Sequence, residues 1–210
     1  MPLYKTITVN PSTKVLIWKI SESFEALSEG IKLTPHCSKR VLGMKSDLHR
    51  RGFMSIRHLL ALEGYSDFDL FYDENGKPHL IDDKHISITH SFNFSAIVIS
   101  DFEVGIDIEK QRPKIRRIGH KFTPMNAYLD LPDDEAVMKK LTKVWCAKEA
   151  LYKSFSVKGI SFLKNIYVEN FQLESTQTTS WVRNEGKDEV YNVWFEEFEG
   201  FTLAYAIIDK

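Results

Sequence analysis

Apolar residues switch from helical to strand spacing twice along this 210-residue chain, and no other feature restricts its fold as much. Residues 14–20 alternate as a strand does, and 21–29 end at Gly30 as a short helix does. Across 38–63, Val41, Leu42, Met44, Leu48, Phe53, Ile56, Leu59 and Leu60 recur at helical spacing, closed by Gly64 and divisible at Gly43 and Gly52. The turn signal Asp73-Glu74-Asn75-Gly76 then separates two short segments, and 86–89, 96–100 and 104–108 read as strands. The second cycle starts with a helix over 133–155 whose Leu141, Val144, Trp145, Leu151, Tyr152 and Phe155 form one stripe, the face expected to dock on a sheet. Strands follow at 166–173, 180–183, 191–198 and 201–208, with Glu199-Gly200 as a hairpin turn. This order predicts an α+β fold in two halves, each a small antiparallel sheet packed with a long helix.

At 43% hydrophobic and 12% aromatic residues, a chain of this length buries a sizeable core. Cys37 and Cys146 are its only cysteines and no C-x-x-C occurs, which argues against a disulfide framework or a structural zinc. The amino terminus has no basic start followed by an apolar run, and no stretch approaches the ~18 apolar residues of a membrane span, so a cytoplasmic protein is expected. A net charge of −1 hides an uneven distribution. Lys39, Arg40, Lys45, Arg50, Arg51 and Arg57 face the single acid Asp47 between His36 and His58. Lys110, Arg112, Lys114, Arg116, Arg117 and Lys121 run without an acid, and the chain beyond Tyr167 is acidic. A sequence pI near 6.7 speaks against nucleic acid as a partner.

Within the segment Val104 to Lys110, alternation puts Asp107 and Glu109 on one strand face, able to share a cation. Glu149 and Lys153 stand four apart on the second long helix, hence on one helix face. Taken singly, these are a half-buried strand and a surface pair contributing about 0.2–0.5 kcal/mol. Together they suit phosphoryl chemistry. If the three carboxylates converge to ~4 Å, each pair repels by about 4 kcal/mol at an effective dielectric near 20, so a positive group must sit among them. Hard oxygen donors with no His or Cys cluster nearby favour magnesium over zinc.

Gly105-Ile106-Asp107-Ile108-Glu109-Lys110, followed by Trp145-Cys146-Ala147-Lys148-Glu149-Ala150-Leu151-Tyr152-Lys153, resembles the signature pair of the 4′-phosphopantetheinyl transferase superfamily. Upstream, Gly76-Lys77-Pro78 and Ile86-Ser87-Ile88-Thr89-His90-Ser91 are similar to elements that precede the acidic strand in its surfactin-type, two-repeat members, with Thr89 where serine is usual. The similarity runs from about Arg57 to Lys153.

The resemblance implies two similar halves, 1–103 and 104–210, related by a pseudo-twofold axis with the active site between them. It implies transfer of the 4′-phosphopantetheine arm from coenzyme A to a serine of an acyl or peptidyl carrier protein, by a monomer. Magnesium is expected on Asp107, Glu109 and Glu149, with Glu149 as general base or Glu109 in its place. Lys153 is expected at the leaving phosphate, and Lys148 at phosphate or cofactor. Arg57, Lys77, Thr89 and His90 are expected on coenzyme A, with Arg51 or Arg40 at its 3′-phosphate. The basic run 110–121 would steer an acidic carrier. Two other readings share these residues: a non-catalytic module that binds carrier protein or coenzyme A, and a metal-dependent phosphohydrolase.

Overall fold

The computed structural model describes residues 3–209, so Met1 and Pro2 of the amino-terminal stretch lie outside the described residues. The chain divides into two compact units, Met1–Phe102 and Glu103–Lys210. Among the described residues no helix is long and apolar enough to cross a membrane.

In the first unit, β1 (Leu3–Asn10), β2 (Thr13–Lys19), α1 (Phe24–Ser28), α2 (Pro35–Leu42) and α3 (Asp47–Leu62) precede β3 (Leu70–Tyr72), β4 (Pro78–Leu80), β5 (His85–Ser91) and β6 (Phe94–Ser100). The strands form one antiparallel sheet in the order β1-β2-β6-β5-β4-β3. Every residue of β6 is buried, as a central strand's should be. Phe53, Ile56, Leu59 and Leu60 of α3 share a core with Leu16, Trp18, Ile97 and Ile99 of the sheet. Gly43 does divide the helical run, because Thr34 caps α2 and Ser46 caps α3 with their side-chain oxygens. Gly52 does not divide it; α3 continues through this glycine, against which His90 of β5 packs. A Cβ there would lie 2.9 Å from His90 Cδ2. Strand β1 has no counterpart in the sequence-based reading: it is a sheet edge without a fully buried residue, although Ile7 and Val9 alternate with Thr6 and Thr8.

In the second unit, β7 (Val104–Lys110), α4 (Ile115–Ile118) and α5 (Asp134–Phe155) are followed by β8 (Ile166–Val168), β9 (Gln177–Asn184), β10 (Lys187–Phe198) and β11 (Phe201–Ile208). The sheet order is β7-β11-β10-β9-β8, again antiparallel. Glu199 and Gly200 both take positive φ (48° and 74°), the backbone a two-residue hairpin turn requires, and Phe198 pairs with Phe201 across it. Helix α5 starts where Asp133 accepts the Ala136 amide and ends at Ser156, whose φ of 53° is left-handed.

The face that α5 lays on the sheet keeps Leu151 and Phe155 of the expected stripe, with Tyr152 packed beside them, but not Leu141, Val144 and Trp145. Cys146, Ala147, Ala150, Leu151 and Phe155 pack with Tyr191, Val193, Ala204 and Ala206. Leu141 and Val144 belong to a smaller core with Phe122 and Tyr128, with Trp145 packed against it. Alanine against alanine lets the helix approach the sheet closely. The expected strand 166–173 stops at Val168, because Lys140 and Lys143 of α5 draw the following segment away onto the helix through the carbonyls of Phe171, Leu173 and Ser175.

Candidate active site

The acidic motif lies on β7, the edge strand of the second sheet, and its glycine sets how closely α5 can approach. A Cβ on Gly105 would come 1.8 Å from the Ala150 carbonyl oxygen of α5, so only glycine lets the helix backbone rest on the strand at this point. This contact brings the Glu149–Lys153 turn of α5 over Asp107. Lys153 Nζ donates to Asp107 Oδ1 at 2.7 Å and to the Ile106 carbonyl at 2.9 Å. Asp107 is 7% exposed, which makes this a largely desolvated ion pair. At the helix end, Ser156 Oγ donates to the Lys153 carbonyl and anchors the last turn.

Glu149 and Glu109 are half-buried. Burial, reinforced by repulsion from Asp107 and Glu109 and only partly offset by Lys153, pushes the Glu149 carboxyl up to about 7. Cys146, completely buried one turn earlier, is raised well above an ordinary thiol first by burial and then by the Asp107 and Glu109 charges. The carboxylates therefore share one field without closing into a cage: among the described residues, no three His, Cys, Asp or Glu side chains stand together so as to hold a metal ion. The cation bonded to Asp107 is Lys153.

Two openings adjoin these groups. One, of about 180 Å³, is lined by Glu109, Lys110, Arg112, Lys114, Thr142 and Trp145, among others. The second, of about 540 Å³, sets Glu149 and Lys121 beside the aromatic rings of Phe122, Trp145, Tyr152 and Phe162. Four members of the basic run thus border the carboxylates, while Arg116 pairs with Asp134 at the start of α5.

Lys148 does not join them. Its buried ammonium donates to the carbonyls of Phe162 and Ile166, and burial lowers it to about 8, so it ties α5 to the chain after the helix rather than facing a cofactor. Arg57 in the first unit is likewise internal, 3% exposed, paired with Asp67 at 2.8 Å and bonded to the Phe53 carbonyl. Although burial opposes ionisation of Asp67, the Thr34 amide and the Arg57 guanidinium hold its carboxyl below the usual range. Both cations were expected on coenzyme A; their charges are consumed inside the fold.

The remaining expected ligands of the first unit differ in accessibility. Thr89 is buried in β5, His90 is exposed, and Lys77 sits half-buried in the β3–β4 turn, where its amide donates to Asp73 Oδ1. His90 stacks on His49 of α3, with ring centroids 5.7 Å apart. His49 escaped the sequence reading, although it lies inside the basic run that drew attention to Arg51. Arg51 itself bonds the Ile20 carbonyl, and Arg40 stacks over Phe53 and Tyr72.

A family model described as the 4′-phosphopantetheinyl transferase superfamily matches residues 103–206. The chain is 29% identical over 135 residues to the 4′-phosphopantetheinyl transferase gsp of Aneurinibacillus migulanus, across 63% of this chain and 55% of that protein. It is 30% identical over 126 residues to the 4′-phosphopantetheinyl transferase Sfp of Bacillus subtilis strain 168, across 56% of each. A further 4′-phosphopantetheinyl transferase of Bacillus subtilis aligns at 28% identity over 71% of this chain and 74% of its own length. The match thus spans little more than half the length of the first two relatives. The solved holo-[acyl-carrier-protein] synthase of Thermotoga maritima aligns over 52% of this chain and 64% of its own at 16% identity, with a TM-score of 0.33, too low to equate the folds.

Proposed function

Because residues 103–206 match the model of the 4′-phosphopantetheinyl transferase superfamily, we propose that the chain moves the 4′-phosphopantetheine arm of coenzyme A onto a serine of a carrier protein. One observation supports this above the rest: Asp107, Glu109 and Lys153 all act on the Glu149 carboxyl, and Lys153 pairs with Asp107, beside openings rimmed with basic residues.

In this reading the serine oxygen attacks the diphosphate phosphorus next to the pantetheine arm. A new P–O bond forms to serine, the P–O bond to the nucleotide phosphate breaks, and adenosine 3′,5′-bisphosphate leaves. Glu149, whose carboxyl is lifted to about 7 without a metal ion, is the candidate to accept the serine proton, in the ionised form that a bound cation would favour. Glu109 is the alternative base. Lys153, with its ammonium held by Asp107, offers positive charge to the departing phosphate.

The donor set fits a magnesium ion in hardness and in charge: all three groups are carboxylates, and after burial the charges of Asp107 and Glu109 help to hold the Glu149 carboxyl high. Asp107, Glu109 and Glu149 would hold it, and it would neutralise the diphosphate and polarise the phosphorus. The chain supplies positioning, proton acceptance and the lysine.

Lys77, Thr89 and His90, with His49 stacked on the last, are the phosphate-binding groups this reading assigns to coenzyme A. Lys110, Arg112, Lys114 and Lys121 would attract an acidic carrier and raise its on-rate. The reading is for a cytoplasmic monomer. Incubation with coenzyme A, magnesium chloride and a panel of apo carrier proteins, followed by intact mass, tests it. Carrier gaining one phosphopantetheine group supports transfer; free phosphopantetheine with unmodified carrier points to hydrolysis; binding without either product points to a non-catalytic module.

A further inference from the structure

The second unit carries another opening, of about 450 Å³, whose lining includes none of the acidic-motif residues. It lies where the segment after β8 passes the start of β9 and the middle of β10. Gln177 pairs with Trp194 and Thr179 with Asn192 in the ladder, so these four side chains leave one face of the sheet, opposite the buried Val193 and Tyr191. Trp194 is half-buried and stacked on Tyr205 at 5.3 Å with an interplanar angle of 11°, which holds its ring in place. The opposing wall supplies Glu169, Asn170 and Gln172.

That wall is fixed by α5. Lys140 donates to Asn170 Oδ1 and to the Phe171 carbonyl, and Lys143 donates to the carbonyls of Leu173 and Ser175 and pairs with Glu197 at 2.9 Å. Both lysines are buried, at 6% and 2% exposure. The opening therefore has preformed walls and falls within the size range of small-molecule sites. Among the described residues no lysine or arginine lines it, and Glu169 is the one charged group of its lining, which disfavours phosphates and other anions.

Side-chain amides and hydroxyls that both give and take hydrogen bonds, one carboxylate that takes two, and an indole ring match a specific chemistry. A sugar ring has hydroxyls around its edge and an apolar C–H face. We propose that this opening binds a neutral carbohydrate of one or two rings, separately from the acidic motif.

Saturation-transfer NMR on the whole chain with maltose, cellobiose and N,N′-diacetylchitobiose tests this. At least one disaccharide should bind saturably with a dissociation constant of about 1 mM or tighter. Gln177→Leu and Trp194→Ala should each weaken that binding about tenfold. Gln177 is exposed, so its variant should melt like the parent and keeps the test valid if Trp194→Ala unfolds. Saturation by none of the three sugars, undiminished binding by folded Gln177→Leu, or displacement of the sugar by inorganic phosphate would each overturn the proposal.

Discussion

Lys153 Nζ bridges Asp107 Oδ1 at 2.7 Å and the Ile106 carbonyl at 2.9 Å, so a single ammonium fastens the last turn of α5 to the middle of β7. Removing it leaves a largely buried carboxylate without its cation. Lys153→Ala should cost about 1–3 kcal/mol in denaturant melts. Asp107→Ala combined with it should cost less than the two single changes added, by about 1 kcal/mol or more. Strict additivity would show that the pair contributes nothing.

Gly105→Ala should be worse than its size suggests. The added methyl meets a backbone oxygen at 1.8 Å, and neither β7 nor α5 has a flexible side chain there that can move aside. We expect a loss of about 3 kcal/mol, at the upper end for an overpacked contact. A melt within about 0.5 kcal/mol of the parent, an ordinary surface effect, would mean that strand and helix separate easily at this point.

Glu149 predicts a pH trend in stability. Its folded carboxyl titrates at about 7, above the unfolded value of about 4.3, so the folded chain holds a proton that the unfolded chain has lost across that window. Stability from this group is thus greatest below the window and declines as pH rises through it. Melts in a chelating buffer should show Glu149→Gln losing that decline. An identical slope in parent and variant would place the group's titration elsewhere.

Arg57 and His90 should respond in opposite ways. Arg57→Ala leaves Asp67 buried without its partner and should cost about 3–5 kcal/mol, while the protein that remains folded keeps its KM for coenzyme A. His90→Ala, at an exposed position, should leave the melt nearly unchanged and raise that KM. A KM increase in folded Arg57→Ala would return Arg57 to the cofactor.

The sequence revealed most where a signal was local. The two-residue alternation of β7 and the helical spacing of α5 lie within single segments, and both elements occur where those periods place them. What stayed hidden depended on partners elsewhere in the chain. Arg57 and Lys148 look like free cations in the sequence, but Asp67 and the carbonyls of Phe162 and Ile166 take up their charges. The alanine face of α5 was passed over because its value lies in closeness to Ala204 and Ala206, which hydrophobicity alone does not indicate. Three carboxylates at suggestive positions were legible, but whether they close around an ion depends on side-chain aim, and here Asp107 is turned to Lys153.

The initial rate of carrier-protein modification by Glu149→Gln, measured by intact mass with coenzyme A and magnesium beside the parent chain, tests the central claim most directly. The account predicts a variant that melts no lower than the parent yet modifies carrier at least about 100-fold more slowly, as expected when a general base is lost. A folded Glu149→Gln that works within about twofold of the parent, far short of that loss, would contradict it.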